Sequence, residues 1–223
     1  MLARLAVRTV VWLGAMTLIL MRAAGNWRWP QGWAFIGIFA AGGVVFGAWL
    51  RRRNPAALAV RLAPLVQRGQ PTWDRVFLVV FVLVWCGWLA LMAADAQRWR
   101  TSHVPPWLNV VGAVLVVSGL LVSTRVVGEN PFAAPVVRVQ PAHQVIDTGP
   151  YAVVRHPMYA SAISYLVGMP LLLGSWYGLV AVPLLVAGLA PRAVLEERVL
   201  RRELPGYEDY MRRVRFRLVP GVW

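Results

Sequence analysis

Lysine is absent from this sequence, and cysteine, acidic residues and formal charge of any kind are scarce. Charged residues make up 14% of the 223 positions while hydrophobic residues make up 59%, and the mean hydropathy is +0.58. A soluble domain of this length buries a core but needs a charged exterior, and this chain lacks the residues to build one. Cys86 is the single cysteine, which excludes an internal disulfide and any cysteine-cluster metal centre. The three histidines, His103, His143 and His156, show no metal-ligand spacing such as HExxH. The phosphate-cradling GxGxxG and Walker loops and the GxSxG nucleophile elbow are missing too. No internal repeat or low-complexity stretch appears, and the length suits one domain, or two at most.

What is present is arginine and long uncharged runs. The formal net charge of +14 rests on 23 arginines against 9 acidic residues. Such a balance points either to nucleic acid or to a membrane surface, and the positions of the arginines decide. Residues 32–50, 76–94 and 104–124 carry no charge, and about 20 apolar residues cross a bilayer core. The first apolar segment, Leu5–Ala24, is flanked by basic residues like a signal peptide; it is read here as a retained span with Arg8 and Arg22 snorkelling.

Residues 157–191 form a 35-residue uncharged run. As one helix it would be about 52 Å long, well beyond a core of about 30 Å. Gly174-Ser175 at its midpoint marks a hairpin turning at 174–176, with bends at Pro170 and Pro183. The expected fold is therefore all-α and integral to the membrane. It has about six transmembrane helices, the last two a hairpin, with a cytoplasmic loop before the hairpin and an amphipathic helix starting at Pro191 after it. With both termini in the cytoplasm, 19 of the 23 arginines fall on that side, Arg4 and Arg8 among them. The positive-inside rule asks for that distribution, so the basic charge is a topology signal and nucleic acid loses its argument. Two parts are expected: four membrane helices in residues 1–127, and a loop, hairpin, helix and tail in 128–223.

Two polar segments on one membrane face remain to carry chemistry. Residues 148–161, TGPYAVVRHPMYAS, set Arg155, His156 and Pro157 at the threshold of the hairpin. Residues 192–214, RAVLEERVLRRELPGYEDYMRRV, follow it. Taken singly each feature has a plain reading. Arg155 and His156 are an interfacial anchor, Arg192 and Glu196 a surface pair four residues apart, and Asp74 and Asp95 solvated charges bordering the third span.

Together, HQVIDTGPYAVVRHPMYAS, an uncharged hairpin and the EExxL and YxxY elements resemble the isoprenylcysteine carboxyl methyltransferase family. Related phospholipid N-methyltransferases share much of the pattern. The resemblance covers roughly residues 129–220. It implies S-adenosylmethionine (SAM) bound at the cytoplasmic side, S-adenosylhomocysteine as product, and a lipophilic small molecule or lipidated acceptor entering from the bilayer. Carried over by position, it implies cofactor contacts at His143, Gln144, Val145, Ile146, Tyr151, His156, Pro157, Met158, Tyr159 and Glu196, with no metal. Arg192 is implied to face the acceptor and, with Glu196, to serve catalysis. Gln140 is a candidate in the loop that departs from the family pattern. The residue types suit the ligand: aromatic faces attract a sulfonium, a carboxylate pairs with a positive centre, and an arginine forks onto an acceptor carboxylate. The all-arginine basic composition, for its part, points to a bacterial chain and so to the cytoplasmic membrane.

Two rivals remain open from sequence. RFRLVPGVW at residues 215–223 and the RHxxY element also resemble the membrane sterol and steroid reductases, which would imply NADPH and hydride transfer. A non-catalytic membrane scaffold is the second rival.

Overall fold

A computed structural model describes residues 2–223, with side chains from Leu5 onward; Arg4, counted above with the cytoplasmic arginines, lies outside the described side chains. All regular structure among these residues is helical. Helices α1 (Leu2–Ala24), α2 (Pro30–Arg53), α4 (Thr72–Ala93) and α5 (Pro106–Glu129) are long, and the short α3 (Pro55–Arg61) sits between α2 and α4. Helices α6 (Pro157–Leu173), α7 (Trp176–Val180) and α8 (Val182–Glu203) form the hairpin, and α9 (Tyr207–Arg213) lies in the tail. Proline stands at the first turn of α2, α3, α5, α6 and α8, where its missing N–H costs nothing.

Five segments are long and apolar enough to cross a membrane: α1, α2, α4 with its continuation to Trp99, α5, and α7 with α8. The sixth expected crossing, α6, is apolar but has only 17 residues. That length is about 25 Å, short of a typical hydrocarbon core.

The reversal expected at 174–176 is present. Gly174 closes α6 with φ 84°, a left-handed conformation that suits glycine. The Gly174 and Ser175 amides both donate to the Pro170 carbonyl at 2.9 Å. Ser175 then starts α7, its hydroxyl accepting from the Gly178 amide at 2.9 Å. The same hydroxyl donates to Asp95 at 2.5 Å, and Ser102 donates to that carboxylate at 2.6 Å. Asp95, expected to be solvated, is instead fully buried. Hydroxyl donors replace its water shell and tie the end of α4 to the hairpin turn.

The C-terminal amphipathic helix does not begin at Pro191. Pro191 lies inside α8, which runs unbroken from Val182 to Glu203. One helix therefore carries an apolar half and a charged half, so its buried face is continuous with the site described below.

Helices α5 and α6 pack antiparallel at very short range. A Cβ at Gly112 would lie 2.3 Å from the Leu172 amide nitrogen, and one at Gly168 2.7 Å from the Gly112 carbonyl oxygen. Ser123 and Ser161 share a 2.7 Å hydrogen bond across the seam, and Asn109 donates to the Leu171 carbonyl at 2.8 Å. Small residues and hydroxyl pairs are what bring helices together where lipid removes the hydrophobic drive. The seam fixes the start of α6, and with it His156 and Tyr159. Around it Leu20, Met21, Phe35, Leu89, Met92, Val116 and Met169 form the core shared by α1, α2, α4, α5 and α6.

Candidate active site

At the end of the bundle where α6 begins, the irregular stretch 130–156 folds over α8. Four proline residues deny it regular pairing, and its backbone is held by local turns. The tail closes the other side: the Arg155 and His156 amides donate to the Phe216 and Arg217 carbonyls, both at 2.9 Å. Between them lies a cleft enclosing about 1010 Å³, counting its open mouth.

His143, Gln144, Val145, Ile146, Tyr151, His156, Pro157, Met158, Tyr159, Arg192 and Glu196 all line this cleft. They come from the loop, from α6 and from α8, so three stretches of chain converge. Gln140 is not among the lining residues; its amide donates to the Phe132 carbonyl at 2.7 Å and braces the loop.

The paired glutamates of α8 divide their work. Glu197 is 3% exposed. Its Oε1 accepts from Arg155 Nε at 2.7 Å and lies 3.2 Å from His156 Nε2, and its Oε2 accepts from Arg217 Nε at 3.0 Å. Arg155 also donates to the Val214 and Arg215 carbonyls. Glu197 thus knots loop, helix and tail together. Glu196 faces the cleft instead, where the Tyr159 hydroxyl donates to it at 2.6 Å. His156 and Tyr159 stack nearly parallel, 7° apart with ring centroids at 5.3 Å. The cleft therefore presents a carboxylate beside two aromatic faces, a set suited to a cationic ligand group.

Arg192 does not pair with Glu196 as a surface residue. It is buried, with Nε at 3.3 Å and Nη2 at 3.1 Å from Asp74 Oδ1, and Nη2 also donates to the Pro135 carbonyl at 2.6 Å. The rings of Phe77 and Tyr159 lie 5.0 and 5.7 Å from its guanidinium carbon. Asp74, expected to be solvated, is fully buried. Its Oδ2 accepts from Gln70 at 2.7 Å and from the Val137 amide at 3.0 Å. The pairing offsets the cost of burying either charge alone.

His143 stacks on Phe132 with centroids at 4.4 Å. Its Nδ1 is buried and has no hydrogen-bond partner, and burial lowers its pKa, so the ring stays neutral with a polar atom free for a ligand. Burial pushes the Tyr151 hydroxyl up to about 12. The backbone carbonyl of Tyr151 accepts from Tyr210 at 2.8 Å, so α9, within the basic, aromatic tail, supports the floor of the cleft. Sequence reasoning missed Asp74, Glu197, Arg155 and the two tail tyrosines. Their signal was charge or hydroxyl at the edge of an apolar segment, which is also the signature of a plain membrane anchor.

Known proteins resemble this chain in sequence and in fold. Residues 107–205, from α5 through α8, match the phospholipid methyltransferase family. A nickel-cobalt-cadmium resistance protein, NccN, of Alcaligenes xylosoxydans xylosoxydans is 30% identical over 105 residues, 46% of this chain and 49% of that protein. The chain thus spans about half the length of this curated relative. The fold resembles that of the eukaryotic intramembrane Ras methyltransferase ICMT (isoprenylcysteine carboxyl methyltransferase). The TM-score is 0.55 with 17% identity, over 96% of this chain and 75% of that one. Residues 107–205 are thus similar to the phospholipid methyltransferase family, within an all-helical fold similar to that of the isoprenylcysteine carboxyl methyltransferase.

Proposed function

We propose that this protein transfers a methyl group from SAM to a lipophilic acceptor drawn from the bilayer. The observation that carries the reading is the convergence of His143–Ile146, Tyr151, His156–Tyr159 and Glu196 on one cleft, which itself meets apolar grooves on the lipid side. The residues fit the cofactor. His156, Tyr159 and Glu196 form a cation-attracting wall, and the unpartnered Nδ1 of His143 is a ready hydrogen-bonding atom for a purine or a ribose. When bound there, SAM would supply an electrophilic methyl carbon, the acceptor's electron pair forming the new bond as the methyl–sulfur pair returned to sulfur.

The chain contributes position and exclusion of water. Holding two reactants in line at near-attack distance supplies most of the acceleration such a displacement needs, and fixed charges in a dry site guide it further. A carboxylate acceptor is already ionised and gives up no proton. An amino headgroup is a second reading, favoured by the match to the phospholipid methyltransferase family; Glu196 is then the carboxylate within the cleft to take the amine's proton. We further propose that the cleft and both termini face the cytoplasm, because a six-crossing topology then puts 19 arginines on that side, and that the membrane is a bacterial inner one, from the all-arginine composition.

Calorimetry on the protein purified in detergent tests the reading. Saturable binding of SAM or S-adenosylhomocysteine is expected. Binding of NADPH with no binding of either methyl-cycle ligand would point instead to a reductase. Incorporation of radiolabelled methyl into a total membrane extract then identifies the acceptor.

A further inference from the structure

Two of the arginines that line the cleft, Arg61 and Arg192, stand in opposite circumstances. Arg192 is neutralised by Asp74 and also bound to the Pro135 carbonyl. Arg61, at the end of α3, makes one hydrogen bond, from Nη2 to the Ala133 carbonyl at 3.0 Å. Its Nε is shut off from solvent with no partner, and no carboxylate pairs with it among the described residues. Its guanidinium carbon lies 5.7 Å from the centre of the Phe46 ring. A guanidinium cannot shed its proton to escape burial, so a half-buried, unmatched one marks a place where an anion is stabilised.

Arg61 also lies where the cleft meets an apolar groove. That groove, of about 1260 Å³, runs between α1, α2 and α5, with Trp12, Phe39, Leu120 and Val127 on its walls. Gly42 and Gly43 leave its floor without side chains, and a Cβ at Gly43 would meet nothing within 4 Å. Arg61 and Met158 line both groove and cleft. A second apolar groove, between α4, α6 and α8, also reaches the cleft, but the arginine at its end is Arg192. An anion arriving there meets a cation already matched.

Resting on the methyltransferase reading, we infer that the acceptor is an anionic amphiphile. Its hydrocarbon tail lies in the α1–α2–α5 groove, and its carboxylate or phosphate is held by Arg61. The groove excludes the wetter half of such a molecule and the cation selects its charge, so a neutral amphiphile of equal length gains the first contact only.

Photo-crosslinking in phosphatidylcholine nanodiscs tests this, with a diazirine-bearing palmitate and the corresponding alcohol as probes. Palmitate is expected to label α1, α2 and α5. Arg61→Gln should cut that labelling roughly tenfold, the loss of a charge-assisted contact, and leave labelling by the alcohol unchanged. Gly43→Leu, which fills the groove without a clash, should abolish labelling by both probes. Gly188→Leu, which fills the other groove at a position where a Cβ also meets nothing, should not. Calorimetric affinity for S-adenosylhomocysteine should change little in all three variants. Labelling that maps to the α4–α6–α8 groove, or that ignores Arg61→Gln, overturns the inference. So does a large loss of S-adenosylhomocysteine affinity in Arg61→Gln that is absent for its decarboxylated analogue, because the anion is then the cofactor's own. Expected labelling without any S-adenosylhomocysteine binding would instead refute the methyltransferase reading and leave an anionic-amphiphile site.

Discussion

Arg192 of α8 and Asp74 of α4, 118 residues apart in the chain, are joined at 3.1 Å in the interior. The pair sits between the cleft and one apolar groove, and Pro135 of the loop completes it. Asp74→Ala leaves a buried guanidinium uncompensated, which costs about 3–5 kcal/mol of stability. Replacing both partners by apolar residues, Asp74→Leu with Arg192→Met, should recover most of that stability without restoring methyl transfer. Thermal denaturation in detergent and a radiolabel assay separate the two effects. Recovery of both would reduce the pair to packing alone.

The neighbouring glutamates should respond differently to the same change. Glu197→Gln weakens the hold on buried Arg155, with an expected loss of about 3–5 kcal/mol and a looser cleft. Glu196→Gln keeps the hydrogen bond from Tyr159 and removes only the negative charge facing the cleft. Its stability should stay near wild type while affinity for S-adenosylhomocysteine falls roughly tenfold, or about 1.4 kcal/mol. Denaturation midpoints beside calorimetric titrations decide the matter, and matching profiles for the two variants would contradict the division of labour.

Helix α6 owes its position to glycine. Gly112→Ala places a methyl group 2.3 Å from the Leu172 amide nitrogen, and overpacking of this kind costs about 1–3 kcal/mol. Gly43→Ala on α2 meets open space and should instead gain up to about 1 kcal/mol from helix propensity. Midpoints shifted in opposite directions are the expected result.

Acidification should act through His143. Burial holds its folded-state pKa below the ordinary value, so the unfolded chain binds the proton more readily. The neutral ring's contribution to stability is fully present above the unfolded pKa of about 6.5 and is lost as pH falls through the lower folded value. His143→Phe, which retains the stack on Phe132, should flatten the fall in denaturation midpoint below about pH 6.5. An unchanged pH profile would remove His143 from this role.

Much of the architecture was legible because membrane insertion is a local property. Uncharged runs near 20 residues, Gly174 at the middle of the long one, and proline at helix starts each act within a few turns of chain. The expected reversal came from length alone, since one 35-residue helix overshoots a bilayer. The start at Pro191 was misjudged because proline reads as a helix start in sequence. Inside α8 it removes one backbone donor, and the helix continues because Leu189, Arg192 and Ala193 around it are buried.

The site divides along the same line. The resemblance to a known family was enough to nominate His143–Ile146, Tyr151, His156–Tyr159, Arg192 and Glu196, since its motifs are contiguous in the chain. Their partners were not readable. Asp74, Asp95 and Glu197 look like solvated charges at the edges of apolar segments, and only their burial against residues 20 to 118 positions away makes them anchors.

By itself the sequence determined that the chain carries helices long and apolar enough to cross a membrane, and it nominated the residues that converge on the cleft. Hydropathy, charge and motif order are sums over neighbouring residues and need no knowledge of the fold. The tertiary structure alone decided that Arg192 is matched and Arg61 is not, because the free energy of a buried charge depends on what stands within a few ångströms, whatever its distance along the chain.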